Sequence, residues 1–347
     1  MEQYLLSNYS QCSNRFGFID SFLFVQISSH SVLFLTLPSH LFGFFCILRK
    51  TPERMKPIKV YLLNLQFWTF IVDFFYTTLI TPVFFFPALA SCSIGLLTWF
   101  NVPPIRIFQL GLVGYAGLAT ASVLIFDYRD HSLSTAQNSS GRKKTTIRTV
   151  WHVSNFLLIS LVCWALSASL DDVATGKLAY LHVNPCPIPK YFTECNFVLS
   201  RTHNYFTNAT LVYMFYISIQ TFSLAIHSSY KIYMIRSNLV SVTTRKLQKS
   251  LFVSTCIQVM VPLCIIIVPI AYCYFAIFYE YYNQSLLNLT GFLISFHGII
   301  ATVTMILVNN SYRSYTKSLL NSLFNSSQKS TSTIITVIPK PSRMYDF

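Results

Sequence analysis

Few residues of this 347-residue chain stand where they could do chemistry. Asp73 lies inside an apolar stretch, and a carboxylate at that depth must face other helices, pair, bind an ion or hold its proton. Two roles are open for it: a switch or sodium-type ion site, or polar glue between helices. Asp127 and Arg129 flank Tyr128 at the end of another apolar stretch, where they read either as an ionic latch or as interfacial anchors. His297-Gly298 offers one polar group beside a position of close helix approach. An interhelical hydrogen bond is the simpler role for His297, with a ligand contact as the alternative; His30 and His40 are read as interhelical too. Pro262 and Pro269 remove backbone donors within a long apolar run, so a kink is expected there, as a pivot or as a static bend. No metal-ligand cluster, nucleophile elbow, phosphate loop or dinucleotide fingerprint is present in the sequence. An intramembrane aspartyl protease needs two buried acids, and Asp73 is the one clear case. Enzymatic chemistry and a cofactor are therefore not expected.

The elements that position these residues follow from composition. Charged residues make up 10% of the chain and apolar ones 53%, with 31 Phe, 21 Tyr and a mean hydropathy of +0.50. Ordinary globular chains carry about 25% charge, so too little hydrated surface exists here to cover soluble cores. Disorder, collagen-like repeats and a small disulfide-stapled scaffold are excluded by the same figures. A net charge of +14 raises the question of nucleic acid, but the cations fall in small clusters between apolar runs rather than along one face.

A helix crosses the hydrocarbon core with about 20 mostly apolar residues. Seven stretches qualify: 21–48, 60–88, 104–126, 150–170, 206–230, 250–278 and 287–309. This predicts an all-α membrane protein, a seven-helix bundle over 21–309 between a segment 1–20 and a tail 310–347. The amino terminus lacks a basic region ahead of its apolar stretch, so it is expected to stay uncleaved, with the first span as insertion signal. Arg49, Lys50, Arg54, Lys56 and Lys59 follow span 1; Arg129, Arg142, Lys143, Lys144 and Arg148 follow span 3. Lys231, Arg236, Arg245, Lys246 and Lys249 follow span 5, and Arg313, Lys317, Lys329, Lys340 and Arg343 follow span 7. With twenty of the 25 Lys and Arg on one side, the positive-inside rule puts the amino terminus outside and the tail in the cytoplasm. Tyr312–Phe324 carries apolar residues at three- and four-residue spacings with Arg313 and Lys317 between, the pattern of an interfacial helix.

On the oxidising side lie Cys12, Cys92, Cys186 and Cys195, which allow three connectivities. Cys186 is expected to be bonded, with Cys92 as the favoured partner tethering the 171–205 loop over the helix ends. The sequons at Asn8 and Asn283 fall on the same side and are candidate glycosylation sites.

Several short motifs, in fixed order, define a resemblance that covers nearly the whole chain. Span 2 reads MKPIKVYLLNLQFWTFIVD, followed by Thr81-Pro82 and Phe86-Pro87; span 3 ends Ile125-Phe126-Asp127-Tyr128-Arg129-Asp130-His131. The loop before span 5 has Pro185-Cys186-Pro187-Ile188-Pro189, and span 7 has Phe296-His297-Gly298 ahead of Tyr312-Arg313. Together with Pro262 and Pro269, these resemble the nematode serpentine chemoreceptors of class H in the Str superfamily. Three departures stand out: Gln66 where the family pattern has His, Asp127-Tyr128-Arg129 where it has Glu-Asn-Arg, and Asn309-Asn310-Ser311 ahead of Tyr312-Arg313 where it has His-Lys-Pro. The resemblance implies a G protein-coupled receptor at the plasma membrane, in sensory-neuron cilia. It would bind a small odorant- or pheromone-like molecule between its helices and open its inner face to a heterotrimeric G protein. Asp127, Arg129 and Arg313 would be the coupling residues, with Arg129 held by Asp127, or else by a backbone carbonyl or an acid of another helix, until span 6 pivots. The rivals are a seven-span transporter or ion channel, which would need broken or polar helices in paired halves, and a peptide receptor.

Overall fold

The computed structural model describes residues 9, 12, 16–87, 89–135, 142–170, 172–181, 186–193, 197–199, 205–234 and 242–336. Seven helices are long and apolar enough to cross a membrane: Phe22–Lys50, Lys56–Ile80, Pro104–Leu133, Thr145–Ala168, Tyr205–Tyr233, Arg245–Phe278 and Gln284–Val308, numbered here as spans 1 to 7. Span 1 starts where the Ser21 hydroxyl accepts from the Phe24 amide at 3.1 Å, and its last turn holds Arg49 and Lys50, whose charge complements the exposed carbonyls.

Polar and apolar residues are distributed inside out. Phe34, Val60, Val212 and Phe215 face outward, whereas His40, Gln66, Asp73, Thr255 and His297 are buried. An apolar exterior around a polar interior is the arrangement that lipid, not water, favours. Span 3 is the hub of the bundle, packed against spans 2, 4, 5 and 6, while span 7 closes the ring between spans 6 and 1.

Three expected boundaries move. Span 2 was expected to reach residue 88, but it widens into a π-helical turn at Phe75–Ile80 and stops where Thr81 turns left-handed with φ 42°. Pro82 has no amide to continue the ladder. The chain instead forms a hairpin, β1 (Pro82–Phe85) against β2 (Ala90–Ser93), and β2 also pairs with β3 (Phe197–Val198). Among the described residues the bundle is thus helical apart from one small sheet, which caps the end we call the sheet end. Span 3 continues past residue 126 in a helix that runs to Thr135, so Asp127 and Arg129 sit within its regular turns. Span 4 belongs to a helix that begins at Arg142, which makes Arg148 a helical residue and not a loop cation. We call the end of the bundle that carries these residues the basic end.

Span 7 is interrupted at Phe296, between helices Gln284–Ser295 and His297–Val308. The helix Val242–Phe278 continues unbroken through both Pro262 and Pro269. After span 7 a further helix covers Asn310–Thr336, and Tyr312 in its first turn is fully buried, its hydroxyl 2.8 Å from Thr51 Oγ1.

The sheet end is tied down covalently. Cys186 is disulfide-bonded to Cys12, not to Cys92, so the loop is stapled to the amino-terminal segment. Tyr9, three residues before Cys12, donates to the Pro187 carbonyl at 2.8 Å, which holds the same two segments together. Cys92 pairs in register with Val83 and is itself disulfide-bonded; Cys195 lies outside the described residues. Beneath the sheet, Phe22, Val83, Phe85, Ile188, Tyr191 and Val198 form an apolar cluster. Lys177 donates to the Phe192 carbonyl at 3.1 Å, and burial lowers its ammonium pKa from the ordinary lysine value. Asn283 caps span 7 by accepting from the Leu286 amide, while Ser285 of the same sequon donates to Asp20. Asn8 lies outside the described residues.

Candidate functional site

At the basic end of span 3, four consecutive side chains face four different helices. An α-helix advances about 100° per residue, so Asp127, Tyr128, Arg129 and Asp130 together sweep most of the circle. Asp127 Oδ2 accepts from Arg148 Nε at 3.0 Å and Nη2 at 2.6 Å, and lies 2.8 Å from His152 Nε2, both on span 4. Tyr128 stacks on Tyr61 of span 2, ring centroids 4.2 Å apart. Arg129 turns to span 6, where Nε donates to Thr255 Oγ1 at 3.2 Å and Nη2 to the Leu251 carbonyl at 3.4 Å. Asp130 takes Lys231 at 2.8 Å and His227 at 3.0 Å, both on span 5.

The expected contact between Asp127 and Arg129 is therefore absent. Residues two apart on a helix point about 200° from each other and cannot pair. Asp127 locks spans 3 and 4, and Arg129 locks spans 3 and 6. Arg313 does not join this cluster: its guanidinium bonds the Leu307 carbonyl at 3.2 Å and the Asn310 side chain in its own turn. The partners Arg148 and His152 escaped sequence reasoning, although their spacing of four puts both on one helix face, a pattern that suits an acid opposite. Thr255 carried no signal at all.

A second cluster gathers deeper in the bundle around Asp73. His40 Nε2 of span 1 lies 2.8 Å from Asp73 Oδ2, and His297 Nδ1 of span 7 lies 2.8 Å from Oδ1. Gln66, the departure from the family pattern, has its Nε2 2.9 Å from His40 Nδ1 and 2.9 Å from Thr302 Oγ1. The break at Phe296 lets the Ile294 carbonyl face His297 Nδ1, 3.0 Å away. Gly298 follows directly, and a Cβ there would sit 1.7 Å from Asp73 Oδ2. Only a residue without a side chain lets span 7 approach the carboxylate so closely. Both carboxylate oxygens thus face imidazoles. Among the described residues, no group of three or more His, Cys, Asp or Glu could hold a metal ion.

Next to this cluster is a cavity of about 40 Å³, with Gln66 and Thr69 of span 2, Ser122 of span 3, Gln258 and Pro262 of span 6, and His297 among its walls. It has room for water but not for a molecule of odorant size.

Seven apolar-faced spans around a polar interior, with ion pairs and hydrogen bonds locking one end and a disulfide-stapled sheet closing the other, define a seven-helix receptor in a membrane. Residues 20–322 match the family of serpentine-type seven-transmembrane GPCR chemoreceptors called Srh, and the chain belongs to that family. Serpentine receptor class H-72 of Caenorhabditis elegans is 27% identical over 290 residues, which is 82% of each chain. The protein is accordingly a multi-pass membrane protein and a GPCR-like chemosensory receptor, of a family that is receptor-type and not enzymatic.

Proposed function

We propose that the receptor lies in the plasma membrane with residues 1–20 outside and the tail 310–347 in the cytoplasm. It takes up a small molecule of the odorant or pheromone class from the sheet end, and signals to a heterotrimeric G protein at the basic end. The observation that carries this reading is the position of Arg129, a permanent charge held half-buried against span 6 by one hydroxyl and one carbonyl. Hydrogen bonds to charged groups contribute about 1.5–3 kcal/mol each, and at 3.2 and 3.4 Å these two are not the strongest of their kind. That is the size of gap a ligand can overcome by preferring the open state. Span 6 would swing about Pro262 or Pro269, breaking the Thr255 and Leu251 contacts and exposing Arg129 to the G protein.

The test is a second-messenger assay in heterologous cells, first screened for an activating small molecule. Arg129→Ala should abolish the agonist response at matched surface levels. Asp127→Asn should lower the yield of folded receptor without raising basal signalling, because Asp127 holds span 4 and not Arg129. Normal signalling by Arg129→Ala would reduce the residue to a helix-packing contact and remove the proposed coupling site.

A further inference from the structure

The hydrogen bonds around Asp73 fix where its protons are. Gln66 Nε2 donates to His40 Nδ1 and to Thr302 Oγ1, so His40 carries its proton on Nε2 and donates it to Asp73 Oδ2. His297 Nδ1 stands between two acceptors, Asp73 Oδ1 and the Ile294 carbonyl, so it must hold a proton as well. Asp73 Oδ2 then receives from His40, while Oδ1 lies 2.8 Å from His297 Nδ1 as an ion-pair contact without hydrogen-bond geometry, which fits an ionised carboxylate. A protonated Asp73 would turn His40 around and set its Nδ1 proton against the Gln66 amide.

With one proton on each imidazole and Asp73 ionised, the cluster would carry a charge of −1 in a buried site. The titratable groups around it are His40 from span 1, Asp73 and Tyr76 from span 2, Tyr115 from span 3, Cys273 from span 6 and His297 from span 7. Among the described residues, no Lys or Arg pairs with Asp73. An isolated buried charge is among the most destabilising features a membrane bundle can hold.

Two buried acceptor atoms of the cluster have no hydrogen-bond partner, Asp73 Oδ1 and His297 Nε2, and of the two residues only His297 lines the cavity. His297 Nε2 is buried without a hydrogen-bond partner, and His297 is 1% exposed and lines the cavity. We propose that His297 Nε2 is a proton-binding site of the receptor, filled through water in the cavity between spans 2, 3, 6 and 7. A hydronium ion there gives its proton to the Nε2 lone pair and leaves as water. The cluster goes from −1 to neutral, with an imidazolium bonded to Asp73 through Nδ1 and to a cavity water through Nε2.

The chemistry favours a proton over a metal cation. Sodium seeks hard oxygen ligands, yet Asp73 is not among the residues lining the cavity, and the unpartnered atom of the lining residue His297 is an imidazole nitrogen. The cavity's far wall is span 6, including Gln258 and Pro262, so the charge change falls on the helix that would pivot about its prolines. The proton site itself does not depend on the proposed G-protein coupling.

The experiment uses full-length receptor in lipid nanodiscs with ¹⁵N-labelled histidine, and a water-soluble paramagnetic quencher to remove exposed imidazoles such as His227. Expected is one shielded imidazole whose Nδ1 stays protonated while Nε2 passes from bare to protonated as the pH is lowered over the range in which the receptor stays folded. Its signal should be missing in His297→Gln and unchanged when choline chloride is replaced by sodium chloride. The tautomer separates it from His40 and His152, which hold Asp73 and Asp127 through Nε2. The wild-type spectrum therefore decides the matter even where the variant fails to fold. The proposal is overturned by the absence of such a titration in wild type, by its persistence in His297→Gln, or by a displacement with sodium at fixed pH.

Discussion

Asp127 and Asp73 show how differently two acids of one chain are used. Asp127 is reached by a guanidinium on the neighbouring helix and closes a conventional ion pair. Asp73 has an imidazole 2.8 Å from each oxygen and a glycine beside it, and no Lys or Arg pairs with it among the described residues. Gln66 makes that arrangement possible, since an amide can donate to His40 and Thr302 at once, which a neutral imidazole in its place could not. Gly298 is the most constrained position of the cluster. Overpacking a tight interior costs about 1–3 kcal/mol, and here the obstacle is a buried carboxylate whose Oδ2 is already bonded to His40. Gly298→Ala should therefore lower the melting temperature of the purified receptor by several degrees and reduce surface yield. Gly17→Ala, where the nearest atom is Asp20 Oδ2 at 3.5 Å, should change neither. An unaltered melting curve for Gly298→Ala would mean that span 7 does not pack against Asp73 as described.

The elements at the sheet end work as a stapled cap. The hairpin β1–β2 turns back over span 2, β3 adds to its edge, and Cys12–Cys186 binds the amino-terminal segment to the loop that precedes β3. Cys12 and Cys186 are 174 residues apart, so the bond closes a very long loop of chain. Cross-links of this kind typically contribute about 2–4 kcal/mol, mainly by restricting the unfolded chain. Non-reducing peptide mapping should recover Cys12 joined to Cys186, and Cys12→Ser should melt at a lower temperature than wild type. Recovery of Cys186 joined to Cys92 would restore the pairing favoured on sequence grounds and displace the staple.

At the scale of the molecule, topology follows from charge. In the sequence, twenty of the 25 Lys and Arg cluster around the ends of spans 1, 3, 5 and 7 and in the tail, and the positive-inside rule predicts that this side is cytoplasmic. An epitope at the amino terminus should be labelled on intact cells, and one placed after Lys340 only after permeabilisation. Finding both on the same side would be incompatible with an odd number of spans. Span 3 has the central place in this architecture because it packs against four neighbours and holds three of them by charged side chains at its basic end. A ligand that shifts any one of those helices acts on the same short stretch of chain.

Seven spans, a lipid-facing exterior and the clustering of cations were legible in the amino-acid sequence, because bilayer crossing is a local property of about 20 residues and charge bias is a simple sum. Asp73, Arg129, His297 and Cys186 could be singled out for the same reason: each is a residue type out of keeping with its neighbours. What they touch was not legible. The partner of Asp127 depends on how far span 3 turns before it ends, and of the partners open for Arg129 the structure has a backbone carbonyl, that of Leu251, and not Asp127. The staple from Cys186 to Cys12 depends on which distant segment the folded loop lies against, which spacing in the sequence does not encode. Gln66, Thr255 and Gly298 are ordinary residues in a sequence. Only the approach of spans 1, 2 and 7 around one carboxylate, and of span 6 to one guanidinium, gives them a role.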